Sequence, residues 1–90
     1  MTRTLPTIHM NGSGGGTLLE GYRDAYRALE EAINKFHDIQ FHARDYYVQG
    51  PEAFNNARAD RDAQLAKLKE VKSYLTDHYA ELNFQVAERK

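Results

Sequence analysis

A short polar and aromatic segment in the middle of the chain holds the side chains best suited to binding chemistry. Between residues 42 and 51 the sequence provides a guanidinium, a carboxylate, two phenols and a carboxamide, in Arg44, Asp45, Tyr46, Tyr47 and Gln49. Phenol rings stack on planar groups, and a guanidinium forms paired hydrogen bonds with phosphate. The amide and the carboxylate suit the edges of a base or a ribose. The segment therefore predicts a site for a planar, phosphorylated ligand or for a protein partner.

Two further arginines, Arg58 and Arg61, follow this segment. Arg61 stands on an apolar helical stripe, four residues before Leu65. A charge at such a position needs a partner, so we expect a carboxylate or a bound anion beside it. The alternative is structural: Asp45 pairs with Arg44 or Arg58, and the tyrosines only close the end of a helical bundle.

The sequence offers no catalytic constellation. It has no cysteine, and its four histidines are not spaced four residues apart on one helix. His37, Asp38 and His42 would meet at a metal only through an irregular loop. No nucleophile has an adjacent base and orienting group, and the glycine run 11–16 lacks the Gly-Lys-Ser/Thr of a Walker A phosphate loop. We therefore expect a non-enzymatic protein without a metal or a cofactor.

Local patterns indicate the elements that position these residues. Residues 1–16 predict an arm, strand-like or irregular over 5–10, that ends in a glycine-rich hinge. Thr17 and Glu20 form a capping box, which predicts the start of the first helix at Thr17. We divide the chain into this arm with its hinge and a helical domain, residues 17–90.

Two helices are predicted in the helical domain. The first runs from Thr17 to about Phe36, with apolar side chains at alternating spacings of three and four. A loop over 38–50 follows. Pro51 then opens a second helix that ends near Asn83 in a fraying tail. The apolar seam of the first helix consists of Leu19, Tyr22, Tyr26, Leu29, Ile33 and Phe36, and that of the second of Phe54, Ala57, Arg61, Leu65, Leu68, Val71, Leu75, Tyr79 and Leu82.

The second helix overshoots the first when the two fold side by side. Two helices cannot enclose a core, because each has a stripe that needs covering on both sides. We therefore predict an all-α fold, an antiparallel two-helix hairpin with an extended N-terminal arm and a long inter-helix loop, assembled into a helical-bundle oligomer. In the alternative, the arm and the 38–50 loop fold back over the exposed stripe. That stripe consists of Leu68, Val71, Leu75, Tyr79 and Leu82.

Composition excludes several classes of partner. The chain has 12 Lys and Arg residues against 13 Asp and Glu residues, and a net charge of -1 attracts neither duplex nucleic acid nor an anionic membrane. No apolar run reaches the roughly 18 residues of a membrane span, and no secretory signal is recognisable. The absence of cysteine fits a reducing cytoplasm.

Two stretches carry a resemblance to a known group of proteins. PTIHMNGSGGGTLLEGY at residues 6–22 and ARDYYVQGPEAF at residues 43–54 resemble small proteins encoded in tailed-bacteriophage and prophage genomes. That group is expected to share a start like TIH-x-NG, a Leu-Leu opening to the first helix and an ARDYY-x-QGP loop. The stretch 13–16 is richer in glycine than the group's pattern. The resemblance implies the cytoplasm of an infected bacterium and says little about chemistry.

Three classes of function follow. The first is a ligand-binding protein that sequesters a nucleotide-like immune signal of the host, because the chain is similar in size and layout to small oligomeric phage proteins that take up cyclic nucleotides. The second is a protein-interaction module that inhibits or adapts a host or phage protein through the tyrosine loop, since Tyr and Arg are frequent hot-spot residues. The third is a purely structural helical oligomer.

Overall fold

Helices make up most of the chain. The computed structural model describes residues 3–88. Helix α1 spans Gly15–Asp38 and helix α2 spans Ala53–Glu88. No strand occurs within the described residues. The all-α class predicted from the sequence is confirmed.

The two helices pack against each other with their chain directions opposed. Near the start of α1, the ring of Tyr22 stacks on that of His78 in α2, with centroids 4.9 Å apart. Near the end of α1, the ring of Phe36 lies beneath the guanidinium of Arg61. Residue numbers therefore rise along α1 as they fall along α2. The described chain measures 61 × 26 × 18 Å, so it is a thin rod.

The core is a narrow line of side chains. Ile33 and Leu65 are buried in the middle parts of the two helices, and Leu82 is fully buried towards the end of α2. Burying a leucine side chain stabilises a fold by about 1.5–3 kcal/mol. Leu82 belongs to the stripe that was predicted to meet another chain, but it is covered within the single chain. That part of the stripe is not open to a partner.

The N-terminal arm folds back along the last turns of α2 and is irregular rather than strand-like. Ile8 is buried, and its backbone N–H donates to Oε1 of Gln85 at 2.7 Å. Nε2 of Gln85 donates in turn to the carbonyl oxygen of Pro6 at 3.0 Å. Arg3 forms an ion pair with Asp77. The arm therefore folds back over α2, as the alternative prediction describes for this segment.

Helix α1 begins two residues earlier than the capping box predicts. Gly15 is its first residue, Gly14 is the N-cap, and no side chain caps the backbone there. The arm explains the glycine, since a Cβ on Gly15 would lie 2.9 Å from Cδ1 of Ile8 and 3.0 Å from Cγ2 of Val86. The predicted cap at Thr17 is wrong because a long-range contact sets this end.

Helix α2 differs from its prediction at both ends. It begins at Ala53, because Pro51 lies in the turn that precedes it. It continues to Glu88, whereas fraying was predicted from Asn83 onwards. The hydrogen bonds to the arm hold this last stretch in place, so the prediction of fraying is wrong there. The last two residues of the predicted tail, 89–90, lie outside the described residues.

Residues 39–52 connect the helices at the end remote from the arm. They contain two short 3₁₀ turns, Ala43–Asp45 and Tyr47–Gln49. Gly50 then adopts a φ of 136°, which residues with a side chain rarely do, and leads the chain into α2. Phe41 and Tyr46 of the connection pack on Phe54 in the first turn of α2, far from the predicted stripe.

Candidate functional site

An aromatic cluster closes the loop end of the rod. Phe41 lies between Tyr46 and Phe54, with ring centroids 5.5 and 5.0 Å away, and the latter two rings are 6.1 Å apart. These are the separations of favourable aromatic pairs. We call these three residues, together with Phe36 of α1, the loop-end cluster. It ties the connection to both helices.

Arg61 is held by the rings of this cluster. Its guanidinium carbon lies 5.1 Å from the ring centre of Phe41 and 5.8 Å from that of Phe36. Within residues 3–88 no carboxylate forms an ion pair with it. In place of the expected carboxylate, the faces of two aromatic rings are the partners of Arg61 in this part of the chain, and a bound anion beside it stays a prediction.

The other predicted site residues do not converge on one point. Nη2 of Arg58 donates to Oδ1 of Asn55 at 2.9 Å, and its guanidinium carbon lies 5.3 Å from a ring of the loop-end cluster. Arg44 and Asp45 are exposed in the first 3₁₀ turn, and Tyr47 is 63% exposed in the second. These three side chains face solvent and are not part of the loop-end cluster.

A shallow hollow of about 510 Å³ lies where the connection enters α2. Two predicted site residues, Tyr46 and Gln49, line this loop hollow. Its charged lining residues are Glu52 and Asp60, and in the described part of the chain no Lys or Arg lines it. Both charged side chains of its lining would repel a phosphate.

A second hollow, of about 250 Å³, lies between α1 and α2, and we call it the interhelical groove. Helix α1 supplies Arg23, Tyr26 and Arg27, since residues three and four apart lie on one side of a helix. Helix α2 supplies Thr76 and Tyr79, which are also three apart. The residues that line the groove thus carry two phenol rings, two guanidiniums and an aliphatic hydroxyl, on walls that are mainly apolar.

The two arginines of the groove lack strong partners. They are four residues apart on α1, a spacing at which like charges repel. Nε of Arg23 is 3.5 Å from Oδ1 of its neighbour Asp24, and both side chains are well exposed. Arg27 forms no ion pair or hydrogen bond within residues 3–88. An anion placed between the two guanidiniums would relieve their repulsion.

The hydroxyls of the groove have fixed directions. The hydroxyl of Tyr26 donates to Oε2 of Glu30 at 3.2 Å, and the same oxygen is 3.3 Å from Nζ of Lys72. That Nζ lies 5.4 Å from the ring centre of Tyr26, which it holds in place. The hydroxyl of Thr76 donates to the carbonyl oxygen of Lys72 at 2.9 Å. Lys72 therefore connects the two walls of the groove.

Neither a metal-ligand cluster nor a membrane-spanning helix is found in the part of the chain described. Over residues 3–88 there is no group of three or more His, Asp or Glu side chains that could hold a metal ion. Neither of the two helices has the length and apolar character that crossing a membrane requires.

The residues of the groove were missed by the sequence reasoning. The sequence pattern indicates Tyr26 and Tyr79 only as members of the apolar seams, and it gives no binding role to Arg23 or Arg27. A signal was present, since Tyr26 has an arginine three residues before it and another directly after it. That pattern places positive charge beside a ring at the border of the seam.

Comparison with protein-family models, with curated proteins and with solved structures gives no match to this chain. The resemblance to bacteriophage proteins therefore stays a prediction. Function has to be argued from the groove, the loop and their surroundings.

Proposed function

We propose that the protein is a small, non-enzymatic binding protein that sequesters a nucleotide-like ligand in the interhelical groove. The observation that carries the proposal is the presence of two tyrosine rings and two guanidiniums in one hollow. Tyr79 offers flat surface to a base, and such stacking is worth roughly 1–3 kcal/mol per base. The ammonium of Lys72 lies over the ring of Tyr26, so this ring meets the base with its hydroxyl edge. Arg23 and Arg27 offer donors and charge to a phosphate.

The volume of the groove is enough to hold one part of a larger ligand. About 250 Å³ is less than the roughly 300–1,000 Å³ of pockets that enclose a whole drug-sized molecule. A base fits between the rings, and the phosphate then lies at the rim, where the guanidiniums are exposed. The rest of the ligand extends over the helix surface or into a neighbouring copy of the chain.

The loop hollow suits this ligand less well than the groove. Its carboxylates, Glu52 and Asp60, repel phosphate. The two arginines closest to it in sequence, Arg58 and Arg61, are held on rings of the loop-end cluster. We therefore assign the ligand to the groove rather than to the loop that the sequence pointed to.

Binding without chemical change agrees with the lining of the groove. In the described part of the chain, no histidine and no carboxylate is among its lining residues, so no general base stands beside a ligand there. A protein of this kind lowers the free concentration of a signal in proportion to the number of its sites. We propose that it acts in this way against a host immune signal, in the cytoplasm of an infected bacterium, as the phage resemblance implies.

We propose further that the working form is an antiparallel helical hairpin that associates with copies of itself. With Leu82 covered, Val71 of the stripe is still 49% exposed, and Tyr74, outside the stripe, is 44% exposed. Both line a hollow of about 430 Å³ together with Arg3, Lys67 and Glu70. A patch with both signs of charge suits a two-fold contact, in which each lysine meets the glutamate of the second copy.

A thermal-shift screen with linear and cyclic mono- and dinucleotides tests the proposed function. A ligand that binds only the folded chain at 100 times its Kd stabilises it by about 2.7 kcal/mol and raises Tm. Chromatography of the released ligand should recover it unchanged. If no nucleotide raises Tm, or if the bound nucleotide is converted to a product, the proposal fails.

A protein-interaction role for the loop is the second candidate. Tyr47 is 63% exposed and Val48 is 79% exposed, beside the exposed Arg44. Exposed aromatic and arginine side chains are common anchors of interfaces. Capture of one host protein by the wild type, and its loss with Tyr47→Ala, would favour this role. Equal capture by both proteins would count against it.

A further inference from the structure

We infer that the interhelical groove selects nucleobases that carry an exocyclic amine, such as adenine, over the same ring without the amine. This inference deepens the proposed function and rests on it. It follows from the directions of the hydrogen bonds made by two groove hydroxyls, those of Tyr26 and Thr76. These directions decide which groups are left to meet a ligand.

The hydroxyl hydrogen of Tyr26 is used in a hydrogen bond to a residue that does not line the groove. It is donated to Oε2 of Glu30 at 3.2 Å, and an ionised carboxylate accepts hydrogen bonds only. The ammonium of Lys72, 3.3 Å from the same oxygen, holds the carboxylate in this position. A hydroxyl that has donated its one hydrogen keeps only lone pairs. Towards a ligand, Tyr26 therefore acts as an acceptor.

The hydroxyl of Thr76 is committed in the same way. Its hydrogen is donated to the carbonyl oxygen of Lys72, 2.9 Å away and one helical turn earlier. Its remaining lone pairs are available to a donor in the groove. The two acceptors belong to residues on different helices, and both residues line the groove.

Donors and acceptors in the groove are thus divided between two parts of the ligand. Arg23 and Arg27 can only donate, which suits phosphate oxygens. With their hydrogens donated elsewhere, Tyr26 and Thr76 accept, which suits an N–H donor. The hydroxyl of Tyr79 makes no hydrogen bond within the described residues and can adapt to either ring, so it does not distinguish them. The 6-amino group of adenine supplies such hydrogens on the edge of a stacking ring. A ring without the amine leaves both acceptors without a partner when it displaces water from them.

Calorimetric titration with cyclic AMP and with its 6-deamino analogue tests the inference. The two nucleotides have the same phosphate and ring size, so their contacts with the arginines and their stacking are matched. We expect cyclic AMP to bind about tenfold more tightly, the effect of one or two neutral hydrogen bonds. Equal Kd values, or binding of other nucleotides but neither of these, would overturn the inference and leave the proposed function standing. Failure of every nucleotide in the thermal-shift screen would overturn both.

Variants separate selection from simple support of the fold. Tyr26→Phe keeps the ring and removes the acceptor, so the affinity for cyclic AMP should fall about fivefold to tenfold, while that for the deamino analogue stays the same. Thr76→Val should act similarly, and Thr76→Ser, which keeps the hydroxyl, is the matched control. Glu30→Ala frees the hydroxyl of Tyr26 to donate and should narrow the difference between the two nucleotides. Equal loss of affinity for both nucleotides in Tyr26→Phe would indicate a merely structural role and contradict the inference.

Discussion

The loop end and the interhelical groove contain similar side chains in opposite situations. At the loop end, the guanidinium carbon of Arg61 lies 5.1 Å from the ring centre of Phe41 and 5.8 Å from that of Phe36. In the groove, Arg27 forms no ion pair within residues 3–88 and stands beside a tyrosine that lines an open hollow. At the loop end three rings contact the two arginines, whereas the rings of the groove stand on two helices. An arginine on an apolar stripe can thus be held by aromatic rings while its side chain stays half-exposed. We propose that binding capacity lies where the guanidiniums remain open.

The largest effect on stability is expected from Phe41→Ala, which removes the middle ring of the loop-end cluster. Phe41 contacts two other rings and Arg61, so its loss should destabilise the fold by about 3 kcal/mol. In a domain of this size such a change lowers Tm by at least about 10 °C. Calorimetric melting measures it. Tyr47→Ala, at an exposed position nearby, is the control and should stay within about 0.5 kcal/mol of the wild type. Similar melting of all three proteins would mean that the cluster does not hold the loop.

A somewhat smaller effect is expected from Val71→Glu, which places a charge on the proposed contact between copies. Light scattering should find the wild type associated at micromolar concentrations and this variant dissociated, with a Kd raised about 30-fold, the equivalent of about 2 kcal/mol. Leu75→Glu is a less selective test, because Leu75 also lines a hollow against α1 within the chain. Ala66→Glu adds the same charge at another exposed position of α2 and should leave association unchanged. A wild type that scatters as a monomer would rule out self-association.

The smallest effects are expected at two neighbouring glycines, which extend the comparison to the arm end. Gly15→Ala should destabilise the fold by about 1 kcal/mol, since the added Cβ would crowd Ile8 and Val86. Gly16→Ala meets no atom within 4 Å and should stabilise it by roughly 0.4–1 kcal/mol, because alanine loses less backbone entropy in a helix. Urea unfolding resolves the two signs. If both variants shift the free energy of unfolding in the same direction, Ile8 and Val86 do not crowd position 15.

What the sequence predicts well in this chain is local, and what it misses is long-range. The spacing of apolar residues from Leu19 to Phe36 is sufficient for a helix there, and the all-α class follows from such spacings. The start at Gly15 and the ordered end of α2 depend on the arm, which is joined to that end only in the folded chain. No spacing rule on one helix reports such a contact.

The sequence directs attention to the loop, and not to the groove that we propose as the site, for the same reason. Arg61 was expected to need an anion because its aromatic partners come from α1 and from the connection, and only folding brings them together. The groove could not be foreseen because it needs the register between α1 and α2, which sets Tyr26 opposite Thr76 and Tyr79. Single-helix patterns contain the side chains but not this register.

The most direct test of the central claim is a calorimetric titration of three proteins with the nucleotide that gives the largest thermal shift. Arg27→Ala should weaken binding at least tenfold and leave Tm unchanged, because a charge-assisted hydrogen bond contributes about 1.5–3 kcal/mol. Arg61→Ala should lower Tm and leave the Kd of the folded protein close to that of the wild type, since its guanidinium is engaged by rings. The reverse result, with binding lost in Arg61→Ala and retained in Arg27→Ala, would contradict the account and return the ligand to the loop.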